Sequence, residues 1–195
     1  MDLPDLAQVR RSFSDARVLL ESFYIQTENI EKVRQFARKA AETLKNGSKI
    51  ISCGNGGSMC DAMHFAEEFT GRFREDRPSL PAIAISDPSY LTCAANDYGY
   101  NAVFSRFVQG VGNPGDLLLG ISTSGNSLNV VEAVKEAKKQ QMFSVCLLGK
   151  CGGILNSLAD LPIVVPGKTS DRIQEVHIKI IHVAIEIAES LVRQN

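Results

Sequence analysis

From residue 49 onward, the sequence alternates short apolar segments with Gly-rich turns and with longer segments of helical periodicity. The apolar segments are five or six residues long and lie at residues 49–53, 81–85, 116–121, 143–148 and 161–165. Continuous apolar runs of this length are typical of parallel strands that are buried on both faces. Because parallel strands are joined by crossover helices, helices then cover both faces of the sheet. The sequence therefore predicts a doubly wound α/β fold with a five-stranded parallel sheet.

The segments between the strands carry the spacing of amphipathic helices. Helices are predicted at residues 58–70, 89–95, 104–111, 127–140, 154–158 and 170–193. Two further helices are predicted within residues 6–46, and Asn46-Gly47 ends the second of them. We expect one domain over residues 1–195, with residues 1–46 as a helical arm that assembles subunits and residues 47–195 as the α/β core.

Composition and charge argue against several classes of protein. The 195 residues include 21 Lys and Arg against 22 Asp and Glu, a net charge of −1, so bulk electrostatic binding of nucleic acid is not expected. No apolar stretch approaches the roughly 18–20 residues of a membrane span, and the first residues lack the pattern of a secretory signal. The 5 cysteines are odd in number and lack metal-ligand spacing, which is typical of reduced thiols. We expect a cytoplasmic protein without a membrane partner.

Two loops that follow predicted strands have the composition of anion-binding sites. The first is Gly54-Asn55-Gly56-Gly57-Ser58, where glycines permit close backbone approach and the following helix offers free N–H groups. It matches neither the dinucleotide fingerprint nor the Walker loop, and a tight turn without a ligand is the alternative. The second loop carries four hydroxyl groups before a helix, which suits a phosphate monoester: Ser122, Thr123, Ser124 and Ser127. The alternative is that Ser127 merely caps that helix.

Helical spacing groups several acid and base side chains. His64 and Glu68 are four residues apart, with Asp61 three residues before His64, so the three project from nearly one helix face. Gln174 and His182 are separated by about 80° around the final helix and can face one pocket. His177 lies about 140° from His182, which indicates a structural or subunit-facing role. Glu175, seven residues before His182, points in nearly the same direction as His182 and is a rival to Glu68.

Four segments of the sequence resemble the phosphoheptose isomerase branch of the sugar isomerase (SIS) domain family. They are Cys53-Gly54-Asn55-Gly56-Gly57-Ser58, residues 61–72, Ile121-Ser122-Thr123-Ser124-Gly125-Asn126-Ser127 and Arg172-Ile173-Gln174-Glu175. The likeness runs from about residue 49 to the C-terminus, and an N-terminal helical arm of this kind is used by the family for assembly. The resemblance implies a flavodoxin-like SIS fold and a homotetramer.

The resemblance also implies an activity. Members of this branch are aldose–ketose isomerases that convert sedoheptulose 7-phosphate to D-glycero-D-manno-heptose 7-phosphate through an enediol, for ADP-heptose and lipopolysaccharide core biosynthesis. Such chemistry requires a carboxylate base and a second proton donor. By resemblance, Glu68 is the base and His182 the acid. The residues implied to bind substrate are Asn55, Gly56, Gly57, Ser58, Glu68, Asn96, Asp97, Ser122, Thr123, Ser124, Ser127 and Gln174.

The family further implies one zinc ion per subunit, held by His64, Glu68, Gln174 and His182. Two imidazoles, a carboxylate and an amide oxygen form a reasonable zinc sphere, although Gln is an uncommon ligand. A zinc-bound carboxylate is a weaker base than a free one, so the ion either changes its coordination during turnover or mainly organises the pocket. Asp171 and Arg172 are weaker substrate candidates, because Asp at a helix start is equally explained by the helix dipole.

Two other functions are compatible with parts of the sequence. A non-enzymatic SIS adaptor that binds the bacterial replication initiator would keep the phosphate loops and the start of the last helix, but it has no chemical reason to keep the acid and base groups. This sequence keeps His64, Glu68, Gln174 and His182 together. A sugar-phosphate sensor domain is disfavoured because no DNA-binding segment is attached. The interpretation is therefore an isomerase that acts on a small sugar phosphate.

Overall fold

The predicted five-stranded parallel sheet is confirmed by the computed structural model, which describes residues 4–193. The strand order is β2-β1-β3-β4-β5, which is the flavodoxin-like order. The strands are β1 (Ile50–Gly54), β2 (Ala82–Ala84), β3 (Leu117–Ser122), β4 (Phe143–Gly149) and β5 (Leu161–Val165). The helices are α1 (Pro4–Tyr24), α2 (Thr27–Lys45), α3 (Gly57–Thr70), α4 (Pro88–Tyr98), α5 (Val103–Val111), α6 (Leu128–Lys139), α7 (Leu155–Leu158) and α8 (Ser170–Arg193), with a short 3₁₀ turn at Tyr100–Ala102.

The strands are buried on both faces, which explains their continuous apolar sequences. Along β3, Leu117 and Leu119 belong to the core beneath α2, α3 and α8, whereas Leu118 belongs to the core on the opposite side, with α5 and α6. Successive side chains of a strand point to opposite faces of the sheet. Because both faces are buried here, the strand sequence is mostly apolar and does not alternate between apolar and polar residues. The sheet is therefore the middle layer of three.

The strand order brings the two predicted anion-binding loops together. The chain leaves β1 toward β2 on one side and returns to β3 on the other, so a crevice opens between β1 and β3 at their C-terminal ends. Gly54 at the end of β1 is in register with Ile121 of β3. The loops at residues 54–58 and 122–127 consequently begin side by side at one edge of the sheet.

The two N-terminal helices differ in their burial. Phe36, Ala37 and Ala40 of α2 are fully buried in the core, where α2 packs on α8. On α1, by contrast, Phe13 is 77% exposed. Within residues 1–46, predicted to form one helical arm, α2 contributes to the core over much of its length, whereas α1 lies on the surface apart from Phe23 near its end, which is 3% exposed in the same core.

Candidate functional site

The first loop holds its shape through two glycines. Gly56, immediately before α3, has a φ of +56°, a conformation that side chains other than glycine rarely adopt. At Gly57 the space is filled by a neighbour, because a Cβ there would lie 2.7 Å from Oε1 of Gln174. Gly56 is therefore required by the backbone turn, and Gly57 lets the Gln174 side chain of α8 lie close against the loop.

The side chain of Asn55, which we predict to contact substrate, is part of a hydrogen-bonded amide pair. Asn55 Nδ2 donates to Asn129 Oδ1 at 2.9 Å, and Asn129 Nδ2 donates back to Asn55 Oδ1 at 2.8 Å. Tyr100 also donates its hydroxyl proton to Asn55 Oδ1, at 2.8 Å. Asn129 is only 2% exposed and lies at the start of α6, so the pair links the first loop to the helix that follows the second. Asn129 has no local sequence signal that marks it as a site residue, because its partner Asn55 is 74 residues away.

The second loop is a cluster of neutral hydroxyl groups. Ser122 Oγ lies 2.8 Å from Ser127 Oγ and 3.4 Å from Ser124 Oγ, and Ser124 Oγ accepts a hydrogen bond from the backbone N–H of Asn126. The Ser127 side chain makes no capping hydrogen bond to α6, so the cap alone does not explain this residue. Thr123 Oγ1 lies 3.0 Å from Ser170 Oγ, at the first turn of α8. These hydroxyls, at the N-terminus of a helix, form a site suited to a phosphate group.

The packing of α3 against α8 gathers three of the predicted acid and base groups. His64 Nε2 lies 3.0 Å from His182 Nε2 and 3.3 Å from Glu68 Oε1. On its other ring nitrogen, His64 Nδ1 lies 3.1 Å from Glu67 Oε1. A carboxylate on Nδ1 fixes the proton there and leaves Nε2 free to accept a proton or bind a cation.

The environment shifts the pKa values of this cluster. Burial, followed by the negative charge of Glu67, raises the pKa of Glu68 above its ordinary value. Burial, followed by the charges of His64 and Lys179, lowers the pKa of His182. Burial also raises the pKa of Asp61 to about 6, and its Oδ2 atom is buried without a hydrogen-bond partner. Perturbed pKa values in a group of facing side chains are typical of functional sites.

Three of the four predicted zinc ligands have the spacing that a metal ion requires. Ligand atoms of His64, Glu68 and His182 all lie within 4.8 Å of one another. Two ligand atoms bound tetrahedrally to zinc at about 2.0–2.1 Å are about 3.3 Å apart, close to the two shorter separations in this cluster. The Glu67 carboxylate on His64 is the kind of outer partner that metal-binding imidazoles usually have. The residues fit a zinc ion.

Gln174, the fourth predicted ligand, makes its contacts elsewhere in the chain. Its Nε2 atom lies 3.3 Å from Ser58 Oγ, and its amide packs against Gly57. Eight residues of α-helix separate Gln174 from His182, which corresponds to about 12 Å along α8. Gln174 therefore lies at the first loop, about two turns of α8 from His182.

Glu175 and His177 do not join the acid and base cluster. The Glu175 carboxylate accepts a hydrogen bond from Arg172 Nη1 at 2.7 Å, and Arg172 in turn donates to Ser12 Oγ of α1 at 2.6 Å. His177 is fully buried and contacts the Leu148 carbonyl oxygen through Nε2 at 2.9 Å. The geometry thus favours Glu68 over Glu175 as the base and gives His177 a structural role.

The remaining predicted site residues are exposed. Asn96 and Asp97 lie near the end of α4, where Asn96 Nδ2 donates to Asp97 Oδ1 at 2.9 Å. Asp171 lies in the first turn of α8, and a hydrogen bond from Thr169 lowers its pKa. In the described contacts, none of the three touches either loop or the cluster of His64, Glu68 and His182.

Known proteins are similar in sequence to this chain over most of its length. The SIS domain family matches residues 13–149. The phosphoheptose isomerase of Cytophaga hutchinsonii is 58% identical over 176 residues, which cover 90% of this chain and 92% of that protein. The phosphoheptose isomerase of Vibrio cholerae is 52% identical over 182 residues, covering 93% of this chain and 95% of that protein.

Solved structures show the same fold. A phosphoheptose isomerase from Neisseria gonorrhoeae superimposes with a TM-score of 0.88 at 39% identity, over 94% of this chain and 98% of that chain. One from Francisella tularensis gives a TM-score of 0.91 at 32% identity, over 96% of this chain and 100% of that chain. The chain therefore belongs to the phosphoheptose isomerases of the SIS domain family.

Proposed function

We propose that this protein isomerises sedoheptulose 7-phosphate to D-glycero-D-manno-heptose 7-phosphate. The observation that carries the proposal is the course of α8, which contacts each part of the site in turn. Ser170 contacts the hydroxyl loop, Gln174 the glycine loop and His182 the acid and base cluster. A linear sugar phosphate along α8 would place its phosphate and its carbonyl end at opposite ends of one groove. The names and high identity of the relatives agree with this assignment.

In this proposal, the two loops bind substrate and hold it in one orientation. Ser122, Thr123, Ser124 and Ser127 donate hydrogen bonds to the phosphate oxygens, and the helix N-terminus adds a favourable dipole. Residues 55–58 and Gln174 contact the sugar chain, with Asn96 and Asp97 at its hydroxyl groups. The loop has no lysine or arginine, so a helix N-terminus and neutral donors carry the phosphate recognition.

Glu68 and His182 carry the proton transfers. Glu68 removes a proton from C1 of the open-chain ketose while His182 donates a proton to the carbonyl oxygen on C2, and an enediol results. Glu68 then returns its proton to C2, and His182 takes the proton of the C1 hydroxyl as the new aldehyde forms, so both groups regain their starting protonation states. The raised pKa of Glu68 suits this role, because a stronger carboxylate base removes a carbon-bound proton more readily.

We further propose that His64, Glu68 and His182 hold one zinc ion per subunit, with Gln174 as a fourth ligand once substrate or a second subunit adjusts its position. When bound, zinc supplies a Lewis acid for an oxygen of the substrate. The lowered pKa of His182 favours the neutral imidazole that a metal ligand must be, so His182 would act as the proton donor only when its coordination changes during turnover. Glu67 keeps the His64 ring in the orientation that exposes Nε2.

The direct test is incubation of the purified protein with sedoheptulose 7-phosphate, with aldose formation followed by NMR. Sedoheptulose without its phosphate is the matched control, and we expect it to react far more slowly because it lacks the group that the hydroxyl loop binds. Binding of the sugar phosphate without any aldose formation would favour the adaptor hypothesis, in which the loops persist without catalysis.

We propose that copies of this chain assemble through α1 into a homotetramer. Leu6, Val9 and Phe13 are 42%, 49% and 77% exposed, and together they form an apolar stripe on one face of the helix. Because α2 contributes to the core, a deletion that ends before Thr27 removes α1 alone. We expect the full chain to sediment as a tetramer and the truncated chain as smaller particles. A tetramer that persists without α1 would assign assembly to another surface.

We place the reaction in the cytoplasm, where it would supply ADP-heptose for lipopolysaccharide or another glycan. No helix within residues 4–193 is long and apolar enough to cross a membrane. Cell fractionation with an antibody to the protein tests the location. Loss of heptose from the cell's glycans on deletion of the gene tests the pathway.

A further inference from the structure

A buried ion pair connects the two helices that carry the acid and base cluster. Arg77 lies in the segment between α3 and β2, and Glu189 lies in α8. Arg77 Nε donates to Glu189 Oε1 at 2.6 Å, and the two side chains are only 5% and 6% exposed. A buried pair is rarely explained by stability alone, because removal of both charges from water costs much of what their attraction returns.

The Arg77 guanidinium also contacts the backbone of the proposed base. Its Nη2 atom donates to the carbonyl oxygen of Glu68 at 2.7 Å, and its Nη1 atom donates to that of Phe69 at 2.7 Å. Carbonyl groups in the last turn of a helix have no partner within the helix, and a cation there also complements the helix dipole. Arg77 therefore binds the C-terminal end of α3 at the backbone of Glu68, whose side chain is the proposed base.

The other end of the pair lies on the helix face that carries His182. Glu189 follows His182 by seven residues, which places the two side chains about 20° apart around α8 and about 10 Å apart along it. His182 contacts His64 and Glu189 contacts Arg77, so α8 meets α3 and its C-terminal end at two points of one face. Glu68 is linked to both points, because its carboxylate contacts His64 and its backbone carbonyl accepts from Arg77.

We propose that Arg77, through Glu189, is a positioning residue that sets the distance between Glu68 and His182 for proton transfer. The inference rests on the isomerase function proposed above. Arginine is required because its planar group can reach a carboxylate and two carbonyl oxygens at once, whereas a lysine ammonium cannot span the same three acceptors in a fixed plane. The chain's phosphate-binding loop has no contact with this pair in the described structure, so substrate binding is expected to be independent of it.

The test compares Arg77→Met with the double variant Arg77→Met/Glu189→Leu. The single variant leaves the buried Glu189 carboxylate with the more distant Arg193, at 3.8 Å, as its cation, so we expect both a lower melting temperature and a lower kcat. The double variant removes that charge and is expected to recover most of the melting temperature. Its kcat should remain at least about tenfold below the parent value with KM within about twofold, because a small displacement of reacting groups slows catalysis strongly.

A neighbouring ion pair provides the matched control. Arg74 donates to Glu186 with two hydrogen bonds of 2.8 and 3.0 Å, and so joins the same two segments, but both side chains are largely exposed. We expect Arg74→Met to leave kcat and the melting temperature near those of the parent. Arg77→Lys should recover part of the stability and less of the kcat.

The outcomes separate this inference from the function on which it rests. An inactive parent protein would overturn the isomerase assignment itself. An active parent whose double variant regains full kcat together with stability would overturn the positioning role and leave Arg77 and Glu189 as a structural pair. A double variant that is stable, binds sugar phosphate with the parent affinity and turns over slowly supports the inference.

Discussion

The two ends of the candidate site are built differently. At the phosphate end, Ser122, Ser124 and Ser127 lie within six residues of sequence, are uncharged and hydrogen-bond to one another. At the chemical end, His64 and His182 are 118 residues apart in sequence and meet only because α3 packs on α8. The phosphate end is a local loop that depends on β3 before it and α6 after it. The second end depends on the relative placement of two helices, so changes to it should affect turnover more than binding.

The largest effect is expected for Glu68→Gln, which keeps the shape of the side chain and removes the proton acceptor. We expect kcat to fall by about 10²–10⁴-fold, the usual contribution of a general base. Glu175→Gln is the matched control, because Glu175 pairs with Arg172 outside the cluster. Steady-state kinetics with sedoheptulose 7-phosphate measure both. If Glu175→Gln loses turnover and Glu68→Gln retains it, Glu175 and not Glu68 is the base.

Removal of one imidazole tests the metal at the same end of the site. We expect His64→Ala to bind zinc at least about 10–100-fold more weakly, since even the loss of an outer partner of a ligand costs that much. Elemental analysis and competition with a chromogenic chelator measure this without reference to activity. Chelation of the parent should reduce turnover, and added zinc should restore it. Full activity in metal-free protein would reject zinc while leaving the isomerase assignment intact.

At the phosphate end, the expected change is in KM. The double variant Ser122→Ala/Ser124→Ala removes two donors that contact the phosphate in both the ground and the transition state, so KM should rise by about tenfold or more while kcat stays within about threefold. Ser105→Ala is the control, because the Ser105 hydroxyl donates to the Ala102 carbonyl at the start of α5, outside the loop. An unchanged KM would indicate that the phosphate binds at the first loop instead.

A smaller effect is expected at the amide pair that joins the two loops. Asn129→Leu keeps the volume but leaves the Asn55 amide nitrogen without its partner, so KM should rise by about three- to tenfold. Tyr100→Phe removes only one of the two donors to Asn55 Oδ1 and should raise KM less. Equal increases in KM for the two variants would contradict the larger role expected for Asn129 than for Tyr100.

The smallest effect on catalysis is expected at His177, and the measurable change there is in stability. Burial lowers the pKa of His177 from 6.5 to about 4, so the unfolded chain binds the proton more readily than the folded chain. The stability contributed by neutral His177 is therefore complete above about pH 6.5 and is lost as the pH falls toward 4, by about 1.4 kcal/mol per pH unit.

His177→Gln can still donate to the Leu148 carbonyl and does not titrate, so its unfolding free energy should fall less steeply over the same pH range. Urea unfolding at several pH values measures the difference, while kcat at pH 7 should stay within about twofold of the parent. An identical pH slope in the two proteins would contradict the buried neutral state of this imidazole.

Most of the fold and the hydroxyl loop could be predicted because their signals are contiguous in sequence. The strand predicted at residues 143–148 is β4 (Phe143–Gly149), and the helix predicted at 170–193 is α8 (Ser170–Arg193). The helix predicted at 89–95 is observed at Pro88–Tyr98: Asp87 caps its start at Pro88, and it continues three residues further than predicted, to Tyr98 before Gly99. Local rules of periodicity, capping and turn formation act over a few residues, and a single sequence displays them directly.

The partners of the acid and base groups were decided by tertiary structure. Helical spacing placed both Glu68 and Glu175 in directions compatible with His182, and only the packing of α3 on α8 set Glu68 beside the imidazoles while Glu175 paired with Arg172. Asn129 and Arg77 escaped the sequence analysis for the same reason, since their partners Asn55 and Glu189 are 74 and 112 residues away. Periodicity gives the direction of a side chain from its own helix, but the neighbour that it meets depends on how distant elements pack.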